Sequence, residues 1–363
     1  MLSFIQNDFF LLNIFADKET IYIFTLIEEN KQTLFNILKP NHMKIQHIIS
    51  TVLLCCFTIA GFAQTKHKSS LPFRFATKAE AQMLVTDIDN FSNGLNQFDI
   101  DLRLQKVDGR KSEWLRLAMS EAMNWSDAEK DKVTKAFKTI KANIKKLKLN
   151  LPYPDEIVLL KTSMKEELNM GAYTRKHWIA IGQDFVTKAD HELLCYLIGH
   201  ELFHVLSRKN VDFKRAVYAT IGFNVVDHEI LLPTDILAKR ISNPDIERRD
   251  SYTTLNINGT DTKCVQIMYT NKEFTTGGVM DYLNVGFIPL NEDFIPVIKD
   301  GQTVIHPMSE VADQIKQKVG ENTGYTIDPE EVSADHFSFL LMGKKDLKNP
   351  EIINAIKVAL TQK

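Results

Sequence analysis

Cysteine is scarce in this chain, with four in 363 residues. Cys55 and Cys56 fall inside an apolar run, leaving only Cys195 and Cys264 elsewhere, which excludes a disulfide framework. Charge of one sign is also missing. Lys plus Arg number 44 against Asp plus Glu at 46, and the net charge of −2 supplies no field for nucleic acid or an anionic membrane. No self-similarity recurs at a period of about 20–50 residues, so solenoids and propellers are excluded. What is present is ordinary: 44% hydrophobic and 25% charged residues, enough to bury a sizeable core.

A spanning helix needs ~20 apolar residues, and the run from Ile48 to Phe62 is shorter. It follows Met43-Lys44 and ends with small residues at Gly61 and Ala63, the pattern of a secretory signal peptide over residues 43–63 cleaved before Gln64. An exported protein, periplasmic or extracellular, is therefore expected, with no membrane span after cleavage. An uncleaved anchor is the alternative reading of the same run. Leu54, where a small residue would precede Cys55, argues against a lipoprotein signal. Residues 1–42 precede a complete signal, as expected if Met43 is the initiator and the start codon has been assigned too early.

Residues 64–363 are expected to form a single α+β domain. The stretch 76–149 has helical periodicity, with a capping box at Ser126 to Glu129 and apolar residues Val133, Ala136, Phe137, Ile140 and Ile144 on one face. Its lysines Lys141, Lys145, Lys146 and Lys148 are those of a solvated helix face. Two strands are expected at 156–161 and 172–181, then a helix from about Asp190 to Ser207 with Asp190 as its cap. Residues 243–305 read as a β-rich insertion. Helices return at 309–319, 329–342 and 350–360, where Pro329 and Pro350 suit the first turn.

The chemistry lies in the run Ile198-Gly-His200-Glu201-Leu-Phe-His204. Histidines four apart project from one face of a helix, so both imidazoles can reach one zinc ion at about 2.0–2.1 Å, with the glutamate beside the open coordination position. Zinc polarises a carbonyl and acidifies water, and Glu201 would act as general base. The competing reading is two half-exposed histidines on an amphipathic helix. Against it, Leu197, Ile198, Gly199, Leu202, Phe203, Val205 and Leu206 are all uncharged, and polar groups buried among them need a partner such as zinc.

The remaining ligand should come from another element. Ser207 and Asn210 stand where the metzincin pattern requires glycine and histidine, so that subclass is excluded. Downstream, Asp328-Pro-Glu-Glu331-Val-Ser-Ala-Asp335 places Glu331 and Asp335 one helical turn apart. Glu331 is then the candidate third ligand, and Asp335 the acceptor of a ligand histidine's outer N–H. Ala334, being small, would let the two helices approach. Glu330, turned about 100° from Glu331, is expected to be a bystander. The competing reading of these carboxylates is an acidic helix start favoured by the macrodipole.

These motifs resemble those of the gluzincin metallopeptidases, the thermolysin-like enzymes whose second helix carries Glu-x-x-x-Asp. The resemblance covers two helices and implies a zincin-like fold, with helices around an active-site helix and a small mixed or antiparallel sheet. It implies one zinc ion held by His200, His204 and Glu331, Glu201 as base, and Asp335 behind a ligand histidine. The long interval between His204 and Glu331 departs from the better-known members and requires the β-rich insertion to loop out. The family also implies an edge strand, here 172–181, that holds an extended peptide by main-chain hydrogen bonds. An oxyanion stabiliser is expected, with Tyr325 and His306 as candidates and Tyr173 and His228 as further positions. Cys195 reads as a small core residue. A zinc hydrolase of another amide or ester, and a non-catalytic zinc-binding protein, are the alternatives to a peptidase.

Overall fold

Successive side chains of a strand face opposite ways, and in the central strands of this protein both faces are apolar. The computed structural model describes residues 71–361; the expected signal peptide at 43–63, its cleavage point and residues 1–42 lie outside them. The described residues begin with β1 (Phe73–Phe75) and four helices, α1 (Lys78–Val85), α2 (Asn90–Gly94), α3 (Gln97–Leu104) and α4 (Lys111–Glu121). The short β2 (Ala122–Met123), α5 (Asp127–Leu147), β3 (Ile157–Thr162), β4 (Ala172–Arg175) and β5 (Trp178–Gly182) follow. Next come α6 (Gln183–Lys188), α7 (His191–Lys209), α8 (Val211–Ala219), β6 (Asn224–Val225) and α9 (Thr234–Leu237). The β-rich part contains β7 (Ser251–Ile257), β8 (Thr260–Tyr269), β9 (Asn284–Pro289), β10 (Ile298–Lys299), β11 (Gln302–Thr303) and β12 (His306–Pro307). The last helices are α10 (Met308–Val319), α11 (Pro329–Met342) and α12 (Pro350–Thr361).

The first sheet is mixed. Strands β1, β3 and β5 run parallel, β2 extends the β1 side by antiparallel pairing with β3, and β4 closes the other side antiparallel to β5. Ile157, Leu159, Ile179 and Ile181 face α5 and α7, packing with Phe137, Leu194, Ile198 and Leu202 in the main core. The alternate residues Val158, Leu160, Trp178 and Ala180 pack with Ala81, Val85 and Ala118 on the opposite face. The second sheet is antiparallel throughout, in the order β12-β9-β8-β7-β6. Its β7–β8 hairpin turns at Asn258-Gly259, both with positive φ, as a two-residue hairpin turn requires.

The fold is α+β as expected, and the capping box at Ser126 and the Asp190 cap are present. One expected element is different. The single strand 172–181 is a hairpin, in which Arg175 pairs with Trp178 and Lys176 takes a φ of 50°. Neither Lys176 nor His177 is a turn former, so the alternation reads straight through a bend that tertiary packing imposes. The consequence is functional, because it puts β4 on the sheet edge above α7.

Candidate metal centre

Helix α7 begins at Asp190, whose side chain accepts from Leu193 N at 2.8 Å, and α11 begins at Asp328, which accepts from Glu330 N at 2.9 Å. The two helices meet closely. A Cβ on Gly199 would stand 3.0 Å from Ser338 Oγ and 3.4 Å from Ser338 Cα, so glycine sets the separation there together with the buried Ala334 expected to do so. Ser338 Oγ also donates to the carbonyl of Tyr196 at 2.7 Å.

This approach brings His200, His204 and Glu331 together, their ligand atoms all within 4.8 Å of one another. Glu331 Oε2 lies 3.1 Å from His200 Nε2 and 3.8 Å from His204 Nε2. Tetrahedral zinc with bonds of about 2.0–2.1 Å separates its ligand atoms by roughly 3.3 Å, so the cluster is already near that spacing. Each imidazole has a carboxylate behind it. His200 Nδ1 is 2.9 Å from Asp335 Oδ1, and His204 Nδ1 is 3.1 Å from Glu330 Oε1. Asp335 is as expected; Glu330 is not the bystander the register suggested. Its side chain is buried and also accepts from the hydroxyls of Ser207 and Tyr218. A rotation of about 100° turns it away from the cleft that Glu331 faces and toward the second histidine's outer nitrogen, because His204 lies one turn further along α7.

Electrostatics agree with a buried demand for positive charge. Burial opposes protonation of His200, yet hydrogen bonds to Asp335 and Glu331 hold it well above the usual imidazole range. His204 is raised too, against its own burial, by the charge of Asp245 and the hydrogen bond to Glu330. Glu330, despite its burial, is held down to about 2 by His204 and Lys214. Burial and the neighbouring Glu201 charge push Asp245 well above the carboxylate range. His204 Nε2 is fully buried and has no hydrogen-bond partner among the described residues. An imidazole nitrogen orphaned between carboxylates fits a metal ion, which would satisfy it.

Glu201 turns toward β4. Its Oε2 accepts from Thr174 Oγ1 of β4 at 2.7 Å, and Thr174 faces the helix because it shares the α7 side of the strand with Ala172. The neighbouring Tyr173 faces away, donating to Glu166 Oε1 at 3.3 Å and packing on Trp178, so it is no oxyanion donor for this centre. Tyr325 is close, its ring centroid 6.4 Å from that of His200. His306 pairs with Glu310 at 2.9 Å, and His228 meets Phe294; among the described residues neither shares a hydrogen bond or ring contact with the centre. Cys195 is buried in the main core, as expected.

Sequence reasoning missed four supporting groups. Tyr196 and Thr323 donate to the two oxygens of Asp335, Asn243 donates to Glu331, and Asp245 forms a second close trio with Glu201 and His204. Tyr196 lies one turn before His200, a spacing that could have flagged it. Nothing local marks Asn243 or Asp245, which come from the β-rich region. Among known proteins no family model, curated sequence or solved structure matches this chain, so what the centre does rests on its own geometry.

Proposed function

We propose that the chain is an exported zinc-dependent peptidase of gluzincin type, with a zincin-like arrangement of α7 and α11 beneath the edge strand β4. The observation that carries the reading is the orphaned His204 Nε2, buried among His200, Glu331 and the carboxylates behind them. His200, His204 and Glu331 would hold the ion, which when bound polarises the scissile carbonyl and acidifies water.

The chain's own groups supply the rest. Glu201 accepts the proton of the attacking water and can pass it to the leaving amine. Thr174 Oγ1, bonded to Glu201 Oε2 at 2.7 Å, fixes which carboxylate oxygen is free to do so. Asp335 and Glu330 fix the two imidazole tautomers, leaving both Nε2 atoms toward the ion. Tyr325 is half-buried near Glu331, and both effects raise its pKa, so the phenol keeps its proton and can donate to a developing oxyanion. The edge strand β4 offers main-chain groups to an extended peptide. The sequence pattern over residues 43–63 supports export.

The test is metal analysis of the protein from Gln64 onward, together with digestion of a degenerate peptide library with and without chelator. One bound zinc and chelator-sensitive cleavage are expected. Zinc binding with hydrolysis only of other amides or esters would replace the peptidase reading. A second reading, a non-catalytic zinc-binding protein, is favoured by Asp245, which clusters with His204 and Glu201 and could supply a further protein ligand.

A further inference from the structure

Among the described residues, four side chains around the centre are nearly sealed from solvent: His200 is 8% exposed, Glu201 3%, His204 0% and Glu331 1%. A peptide could not reach them, and the segment that covers them is identifiable. After Ile241 N donates to the Met268 carbonyl of β8, the chain passes the centre as Ser242-Asn243-Pro244-Asp245-Ile246 on its way to β7.

We propose that Asp245 is an exchangeable fourth ligand to the metal ion, carried on a strap that also occupies the peptide-binding edge of β4. The proposal rests on the reading of His200, His204 and Glu331 as the primary ligands. Three independent contacts support it. An Asp245 oxygen lies within 4.8 Å of ligand atoms of both Glu201 and His204, whose Nε2 is the orphaned atom. Asp245 Oδ1 accepts the main-chain N–H of Thr174 at 2.7 Å, taking the edge-strand donor that an extended substrate would use. Asn243 donates from Nδ2 to Glu331 and accepts the N–H of Asp245 at 2.9 Å, so one asparagine aims the aspartate and ties the strap to a ligand.

The strap is clasped by side chains and not woven into a sheet. Arg208 Nη2 donates to the carbonyls of Pro244 at 2.9 Å and Asp245 at 2.6 Å. Arg103 Nη2 donates to the Ser242 carbonyl at 2.9 Å, and Asp99 accepts from Ser242 N and Oγ at 2.8 and 2.7 Å. A polar cavity lined by Ser207, Arg208, Lys214, Asp245, Arg248 and Glu330 opens beside it and gives the strap room to withdraw. A substrate backbone entering along β4 would regain the Thr174 hydrogen bond that Asp245 gives up, so exchange of strap for peptide conserves that contact. Two roles thus fall on one carboxylate: from its place beside His204 and Glu201 it can turn onto the ion as a further ligand, and it competes with substrate for Thr174.

The experiment compares the full chain with Asp245→Asn, which keeps an acceptor for Thr174, and with Asp245→Ala. Zinc affinity is measured by chelator competition, ligand exchange by the visible spectrum of the cobalt-loaded protein on adding acetohydroxamate, and turnover on the peptide library. The variants should bind zinc about tenfold or more weakly, respond spectrally to hydroxamate at about tenfold lower concentration than the parent, and cleave faster. A strap closed nine-tenths of the time lowers apparent substrate affinity about tenfold, and the variants should recover that factor. Equal zinc affinity and equal hydroxamate response in parent and variants would overturn the strap while leaving the primary centre standing. Weaker zinc binding without any gain in cleavage would mark Asp245 as a permanent ligand, overturning exchange. No zinc binding by the parent would remove the centre and the strap together. Thermal melting monitors folding, and if the alanine variant unfolds, the asparagine variant carries the test.

Discussion

Glu330 Oε1 lies 3.1 Å from His204 Nδ1, while its neighbour Glu331 places Oε2 3.1 Å from His200 Nε2, so adjacent residues of one helix turn serve the two histidines by different nitrogens. The first consequence concerns metal affinity. Glu331→Ala should cause the greatest loss, since it removes one of the three proposed ligands. Asp335→Ala and Glu330→Ala should each cost about 10–100-fold, the usual penalty for losing the group that orients a ligand histidine. Zinc titration of the three variants checks the order; an unchanged Glu330→Ala would return that residue to the role of bystander.

Glu330→Ala should also destabilise the fold. It leaves the Ser207 and Tyr218 hydroxyls and the His204 ring without their shared acceptor in a buried place. Leaving one buried polar group unsatisfied costs about 1–3 kcal/mol, so a loss of several kcal/mol is expected in denaturant unfolding, against little for Glu330→Gln, which keeps an acceptor.

Glu201→Gln preserves shape and removes the proton acceptor. Zinc content should stay near normal while peptide cleavage falls by roughly 10²–10⁴-fold. Thr174→Val should reduce kcat with little effect on zinc content, because it frees the carboxylate to rotate away from its 2.7 Å hydrogen bond. Turnover unchanged in both variants would show that Glu201 is not the base.

Gly199→Val tests the helix approach. The added methyl groups would press on Ser338, whose Oγ is already 3.0 Å and Cα 3.4 Å from an added Cβ. Overpacking of this kind costs about 1–3 kcal/mol. Zinc affinity should fall with it, since separating α7 from α11 pulls Glu331 from the histidines. Equal melting temperature and equal zinc affinity in the variant would argue that the contact is slack.

Away from the centre, Lys161 Nζ binds both oxygens of Glu129, at 2.9 and 2.7 Å, joining β3 to the start of α5. Against its partial burial, the hydrogen bonds from Lys161 and Ser126 hold Glu129 down to about 2. Because the folded pKa lies below the unfolded value, the stabilisation is present above ~4.3 and is lost as pH falls toward 2. Glu129→Gln should therefore be less stable at neutral pH, and the gap should close on acidification through that window. A gap independent of pH would sink the assignment.

The local sequence determined the motifs and their elements: helix periodicity, the Asp190 and Ser126 caps, Pro329 in a first turn, and two histidines on one face of α7. These depend on residues within a turn or two of each other, so the pattern is complete in the chain itself. The pairing of Glu331 with His200 was also legible, because the spacing to Asp335 marks one face of α11. Tertiary structure decided the rest. Whether Glu330 is solvated or buried depends on Tyr218 and Ser207 closing over it, and no spacing reports that. The hairpin at Lys176 has no turn-forming residue, and only docking against α7 makes β4 an edge. Asn243 and Asp245 come from a region whose own pattern says only that it is β-rich. Their place over the histidines follows from Arg103, Arg208 and Asp99, which hold the strap from distant parts of the chain.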